Sequence, residues 1–115
     1  MQISRAEWRR VGGRGAFSDG VGSLRDVVQN HLLQVVALLA MEPPVGSDAD
    51  ALRDEKVKVF RATTSVDPDA VVRGQYDDYR AEAGVVPESD VATFVALKLE
   101  IESGRWAGVP FYLLA

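Results

Sequence analysis

The stretch Thr93–Glu102, TFVALKLEIE, alternates without a break. Val95, Leu97, Leu99 and Ile101 fall on one side, and Ala96, Lys98, Glu100 and Glu102 on the other. That is the period of two of a half-buried strand. One apolar face and one wet face point to an antiparallel sheet covered on a single side. Ser103–Gly108, SGRWAG, then supplies a turn, and Val109–Ala115, VPFYLLA, a partner strand. Pro110 stands near its start, where a missing N–H is tolerated.

Upstream the period changes. Arg25–Met41, RDVVQNHLLQVVALLAM, predicts a helix from about Ser23 to Met41, with Ser23 as N-cap, Asp26 in the first turn and the prolines of EPPVG as its stop. Ser47–Thr63, SDADALRDEKVKVFRAT, predicts a second helix capped by Asp48 or Asp50, with Leu52, Lys56, Val59 and Phe60 along one side and the RDEK charges in solvent. Met1–Trp8 and Val71–Tyr76 read as short strands, and Asp77–Asp90 as a polar loop. Helices in the first half and strands mostly in the second give an α+β fold, an antiparallel sheet with helices packed on one face. The chain begins almost on a strand and stops inside an apolar run, so Val95–Ile101 is expected to be only partly covered.

The 115 residues have room for one domain, and 47% hydrophobic with 26% charged residues is ordinary globular usage. With a net charge of −4 and no basic cluster interleaved with aromatics beyond the short Arg9–Arg10 pair, a nucleic-acid footprint is missing. The absence of cysteine removes disulfides and thiolate chemistry, and one histidine cannot build a multi-histidine metal site. The longest apolar run, VVALLAM, is too short for a membrane span, and MQISRAEW lacks a signal-peptide core, so a cytoplasmic location is the default.

Two features invite chemistry. Five glycines between Gly12 and Gly22 mark a loop that takes unusual backbone angles or approaches something closely. A phosphate cradle would need a buried strand and a βαβ unit around those glycines, and neither is visible. The other feature is His31. An ideal helix, at ~100° per residue, places it in the core-facing stripe with Leu24, Val27, Val28, Val35 and Leu38. On pattern alone it reads as a core histidine bonded to a carbonyl. A cleft wall has the same surround, and there an imidazole with an ordinary pKa of ~6.5 can take a proton near neutral pH. Asp26, the nearest acid, is ~140° away around an ideal helix, so the two would not pair directly.

The succession RDVVQNHLLQ, AMEPP, RDEKVKV, VVRGQY, TFVALKLEIE and RWAGVPFYL, in this order and spacing, resembles the C-terminal domain of glucose-6-phosphate dehydrogenases. That family oxidises C1 of β-D-glucose 6-phosphate to the lactone and passes a hydride to NADP, opening the oxidative pentose phosphate pathway. The resemblance implies that His31 is the general base for the C1 hydroxyl, and that Asp26 and Glu7 bind the sugar. It also shows departures. The family's dinucleotide-binding domain and RIDHYLGKE motif have no counterpart, and the family continues with Arg-Thr-Gly-Lys where this sequence stops at FYLLA. EWRRVGGRG stands where the family has EDFGVEGRG, and Ser18 where it prefers an aromatic residue. Residues 1–115 are thus expected to be a partial domain without its dinucleotide-binding half, inactive alone. The alternative expectation is a non-catalytic module that forms homo-oligomers through the sheet.

Overall fold

In a computed structural model the chain is described at residues 1–7 and 10–115. Trp8, where the expected first strand ends, and Arg9 of the Arg9–Arg10 pair lie outside the described residues. The sheet has four strands, β1 (Gln2–Ser4), β2 (Val72–Gly74), β3 (Phe94–Leu99) and β4 (Phe111–Leu114), in the order β1-β4-β3-β2. β3 pairs antiparallel with β4, Leu97 opposite Leu113, and with β2, Arg73 opposite Val95. β1 joins β4 in parallel, Ile3 opposite Leu113. The fold is α+β as expected, and the sheet is mixed rather than wholly antiparallel. The helices between the first and last strands act as a crossover, which is what a parallel pair needs.

Alternation sets the core. Val95, Leu97, Leu99, Phe111 and Leu113 point to one face and are buried there. The expectation that Val95–Ile101 would be partly uncovered fails: its inward side chains keep 0–7% exposure. Helical packing closes that face fully, and only outward residues such as Phe94 and Lys98 are open.

The covering element is a rod built from α1 (Gly15–Ser23), a π-helical segment (Leu24–Leu32) and α2 (Leu33–Ala40). It begins earlier than predicted, inside the glycine-rich stretch, and bends at Gly22, whose backbone angles (φ 73°, ψ 158°) lie outside the helical range. Ser23 is therefore a helical residue past the bend, without a side-chain capping bond. Its N–H donates to Ala92 O at 3.1 Å. In the π-helical segment hydrogen bonds reach back five residues, as from Leu33 N–H to Val28 O.

The rod buries Val28, Leu32, Val36 and Ala40, a row four residues apart, against the sheet. Of the predicted stripe, Val28 is buried and Val27 packs against the core, whereas Leu24, His31, Val35 and Leu38 are exposed. From Leu33 to Ala40 the helix is apolar on nearly every side, so hydrophobicity alone could not choose the face there. Contact with the sheet chose it.

α3 (Ala49–Ala62) packs beside α2. Asp48 is its cap, the carboxylate accepting from the N–H groups of Asp50 (3.1 Å) and Ala51 (2.9 Å). Val59 is buried as expected, while Phe60 turns partly outward. Glu55, expected in solvent, is also buried, held by Lys58 Nζ at 2.6 Å.

Candidate functional site

Where β1 ends, the rod bends and the segment from Gly74 to Thr93 crosses, the chain leaves a cavity of about 680 Å³. Its ionisable lining is Arg5, Glu7, Arg14, Asp26, Tyr76 and Tyr79. Glu7 and Asp26, from opposite ends of the glycine-rich stretch, are thus brought to one cavity. Glu7 forms an ion pair with Arg5. Asp26 projects from the first turn of the π-helical segment and is half-buried.

His31 is on the same segment and exposed, outside the cavity lining. A register that reaches back five residues winds more residues into each turn than an α-helix does. Positions five apart, such as Asp26 and His31, therefore lie nearer one side than the ~140° of an ideal helix allows. The π winding thus narrows their angular separation, while the bend at Gly22 lies before both residues.

The cavity's far wall carries a polar network that sequence reasoning missed. Asp19 of α1 accepts from Ser89 Oγ, from Tyr79 Oη at 3.4 Å and from the Val86 N–H at 3.4 Å. Tyr79 and Ser89 are buried. Burial first, and then the Asp19 carboxylate, pushes the Tyr79 hydroxyl above its ordinary pKa. Tyr76 is raised mainly by burial too, and its hydroxyl donates to Glu82 Oε1 at 3.0 Å. The two rings meet edge to face, 5.4 Å between centroids. No local pattern announces this network, because Asp19 and Ser89 are 70 positions apart.

The glycines serve this contact. A Cβ on Gly15 would collide with the Ala83 carbonyl oxygen, and one on Gly84 (φ +85°) would lie 2.8 Å from Ala16 N. The space beside Gly15 is therefore filled by protein and is closed to a ligand at that position. Among the described residues no group of three His, Cys, Asp or Glu is arranged to hold a metal, and no helix is long and apolar enough to cross a membrane.

The family model for the glucose-6-phosphate dehydrogenase C-terminal domain matches residues 1–115. This chain belongs to that family. Over 115 residues it is 57% identical to glucose-6-phosphate 1-dehydrogenase 1 of Mycobacterium tuberculosis, all of this chain against 25% of the relative. With the Zymomonas mobilis glucose-6-phosphate 1-dehydrogenase the identity is 50% over 98% of this chain and 26% of the relative. The crystal structure of the Mycobacterium avium glucose-6-phosphate 1-dehydrogenase superposes with a TM-score of 0.97 at 56% identity, covering 99% of this chain and 25% of that one. A glucose-6-phosphate dehydrogenase in complex with its substrate glucose-6-phosphate superposes with a TM-score of 0.91 at 42% identity, over the same shares. The chain thus spans about a quarter of the length of these glucose-6-phosphate dehydrogenases, which are oxidoreductases. Within that quarter, the glucose-6-phosphate dehydrogenase fold brings Glu7 and Asp26 to one cavity and leaves His31 open on the adjoining helix.

Proposed function

We propose that residues 1–115 supply the sugar-binding wall and the proton acceptor of a glucose-6-phosphate dehydrogenase, with the dinucleotide held by residues outside this stretch. The observation that carries this reading is the convergence of Glu7 and Asp26 on one cavity, Asp26 standing on the helical segment that also bears His31. Carboxylates accept several hydroxyl protons at once, which suits a sugar. Loss of hydride from C1 gives the lactone carbonyl only if the C1 hydroxyl proton leaves. A neutral imidazole within hydrogen-bond reach is the group to take it. In this assignment Asp26 and Glu7 hold the sugar, His31 receives the proton, and NADP, held outside this chain's own residues, takes the hydride. The site of action is the cytoplasm.

His31, as the only histidine, gives one imidazole Cε1–H resonance. Titrating the chain with glucose 6-phosphate is expected to shift that resonance saturably. Asp26→Asn is expected to weaken the interaction about tenfold, as for removing a buried charged acceptor. No saturable shift, or an unchanged affinity in Asp26→Asn, overturns the reading. Mixed with glucose 6-phosphate and NADP alone, the chain should give no rise in NADPH absorbance, because the acceptor must be held beside C1. A robust rate would refute the division of labour.

A second reading rests on the sheet face turned away from the helices. Val72, Phe94 and Tyr112 stand there at 61%, 41% and 46% exposure. Under this reading the chain is an association module whose sheets pair face to face as a homo-oligomer. A discrete dimer in sizing, dispersed by Phe94→Glu, supports it, and a monomer at high concentration excludes it.

A further inference from the structure

The segment from Gln75 to Ala92 grips the glycine-rich stretch along its whole length. Near the start, Tyr76 Oη accepts from the Val11 N–H at 3.5 Å. Next, Ala83 closes on Gly15 and Gly84 on Ala16. In the middle, Asp19 collects Ser89, Tyr79 and Val86. At the bend, Ala92 O takes the Ser23 N–H, which the non-helical Gly22 has set free from the helix ladder. The gripping segment is itself braced, since Gln75 Nε2 donates to the carbonyls of both Ser89 and Val91 at 2.9 Å and Arg80 Nε donates to Gln75 Oε1 at 3.2 Å.

Asp19 is the hub of this grip. One carboxylate oxygen takes two hydroxyl bonds and the other takes a backbone N–H. It stands three residues before the bend at Gly22, and seven before Asp26. These three contacts tie the last straight turn before the bend to the loop.

We propose that Asp19 is a positioning residue for the sugar cavity: by latching α1 to Tyr79, Ser89 and Val86, it holds the bend at Gly22 and thereby aims Asp26 into the cavity. This rests on the reading of Asp26 as a sugar ligand. Asp19 touches no substrate. It acts through the helix that it anchors.

The test compares Asp19→Ala, Asp19→Asn and Asp26→Asn in the full chain, with glucose 6-phosphate as the titrant and the His31 resonance as the signal. Asp19→Ala is expected to weaken binding about tenfold, the order by which a misaimed ligand group loses its contact. Asp19→Asn, which keeps an oxygen for Ser89 and Tyr79, is expected to recover part of that loss. Amide exchange should rise in Ser23–Leu32 of Asp19→Ala while that of β3 stays unchanged. Exchange that rises equally in β3 would mean that Asp19 only stabilises the fold, and it overturns the proposal. So does wild-type affinity in Asp19→Ala while Asp26→Asn is impaired, a result that leaves the sugar reading standing. If wild-type chain shows no binding, the sugar reading falls, and unchanged exchange in Ser23–Leu32 would overturn the latch as well. Should Asp19→Ala fail to fold, Ser89→Ala removes one bond of the latch and carries the same comparisons.

Discussion

The two halves of the helical rod share one buried apolar row but differ in regularity and in what else holds them. From Leu33 to Ala40 the helix is regular, its inner row Val36 and Ala40 lies in the core, and its end is closed by Trp106, whose Nε1–H donates to Ala40 O at 2.9 Å. From Gly15 to Leu32 it is bent and π-wound; Val28 and Leu32 continue the buried row, and a loop adds polar bonds up to Ser23 at the bend. The candidate site residues of the rod, Asp26 and His31, are on the second half. Apolar packing tolerates little change of shape, whereas a polar latch can define an irregular backbone that packing alone would straighten. Core packing runs along both halves, and the polar latch is added where the backbone is irregular.

Removing the apolar support should have the largest effect. Phe111 is fully buried and meets Trp106 edge to face at 5.2 Å between centroids. Phe111→Ala is expected to destabilise the chain by about 3–5 kcal/mol in urea unfolding. Both halves of the rod should be lost together, because the core is shared. A loss below about 1 kcal/mol would show that the core does not hold the rod.

A smaller change isolates the end of the regular half. Trp106→Phe keeps a ring beside Phe111 and removes only the bond to Ala40 O, so about 1 kcal/mol is expected in thermal unfolding. Glucose 6-phosphate affinity should not change. If affinity fell along with stability, the two halves would be coupled more tightly than the geometry implies.

The gentlest probe of the polar half is pH. Tyr79 is raised above 10.0 in the folded chain, mainly by burial and then by Asp19. Its contribution is therefore complete below the unfolded pKa of about 10 and is lost as pH rises through the folded value. Stability should decline above pH 10 alongside tyrosinate absorbance, and Tyr79→Phe should flatten part of that decline. An identical decline in Tyr79→Phe would remove Tyr79 from the account.

These contrasts also explain what the sequence revealed. The strand Phe94–Leu99, its partner Phe111–Leu114 and the Asp48 cap were legible, because period two and N-capping are local signals. The parallel edge strand was not, since Gln2–Ser4 is too short to show its partner's direction. Hydrophobicity marked the rod as helical yet chose the wrong face, placing His31 inside. Glycine content signalled close approach at Gly15 without naming Ala83 as its object. Of the site, His31 and its nearest acid Asp26 stood out in the residues, but their roles, and Glu7 altogether, came from family resemblance, and Asp19, Tyr79 and Ser89 from neither resemblance nor pattern.

The parallel pairing of β1 with β4 has a kinetic consequence. Gln2 lies opposite Tyr112, and the Met1 amino group donates to Pro110 O across 109 positions. Bringing such distant segments together is the slow step in forming any sheet. β1, only three residues long, should add to a sheet already formed by β2, β3 and β4, and should be the first strand to leave it. Ser4, Arg5 and Glu7 form one wall of the cavity. Fraying of that strand would remove this wall of the cavity without unfolding the core.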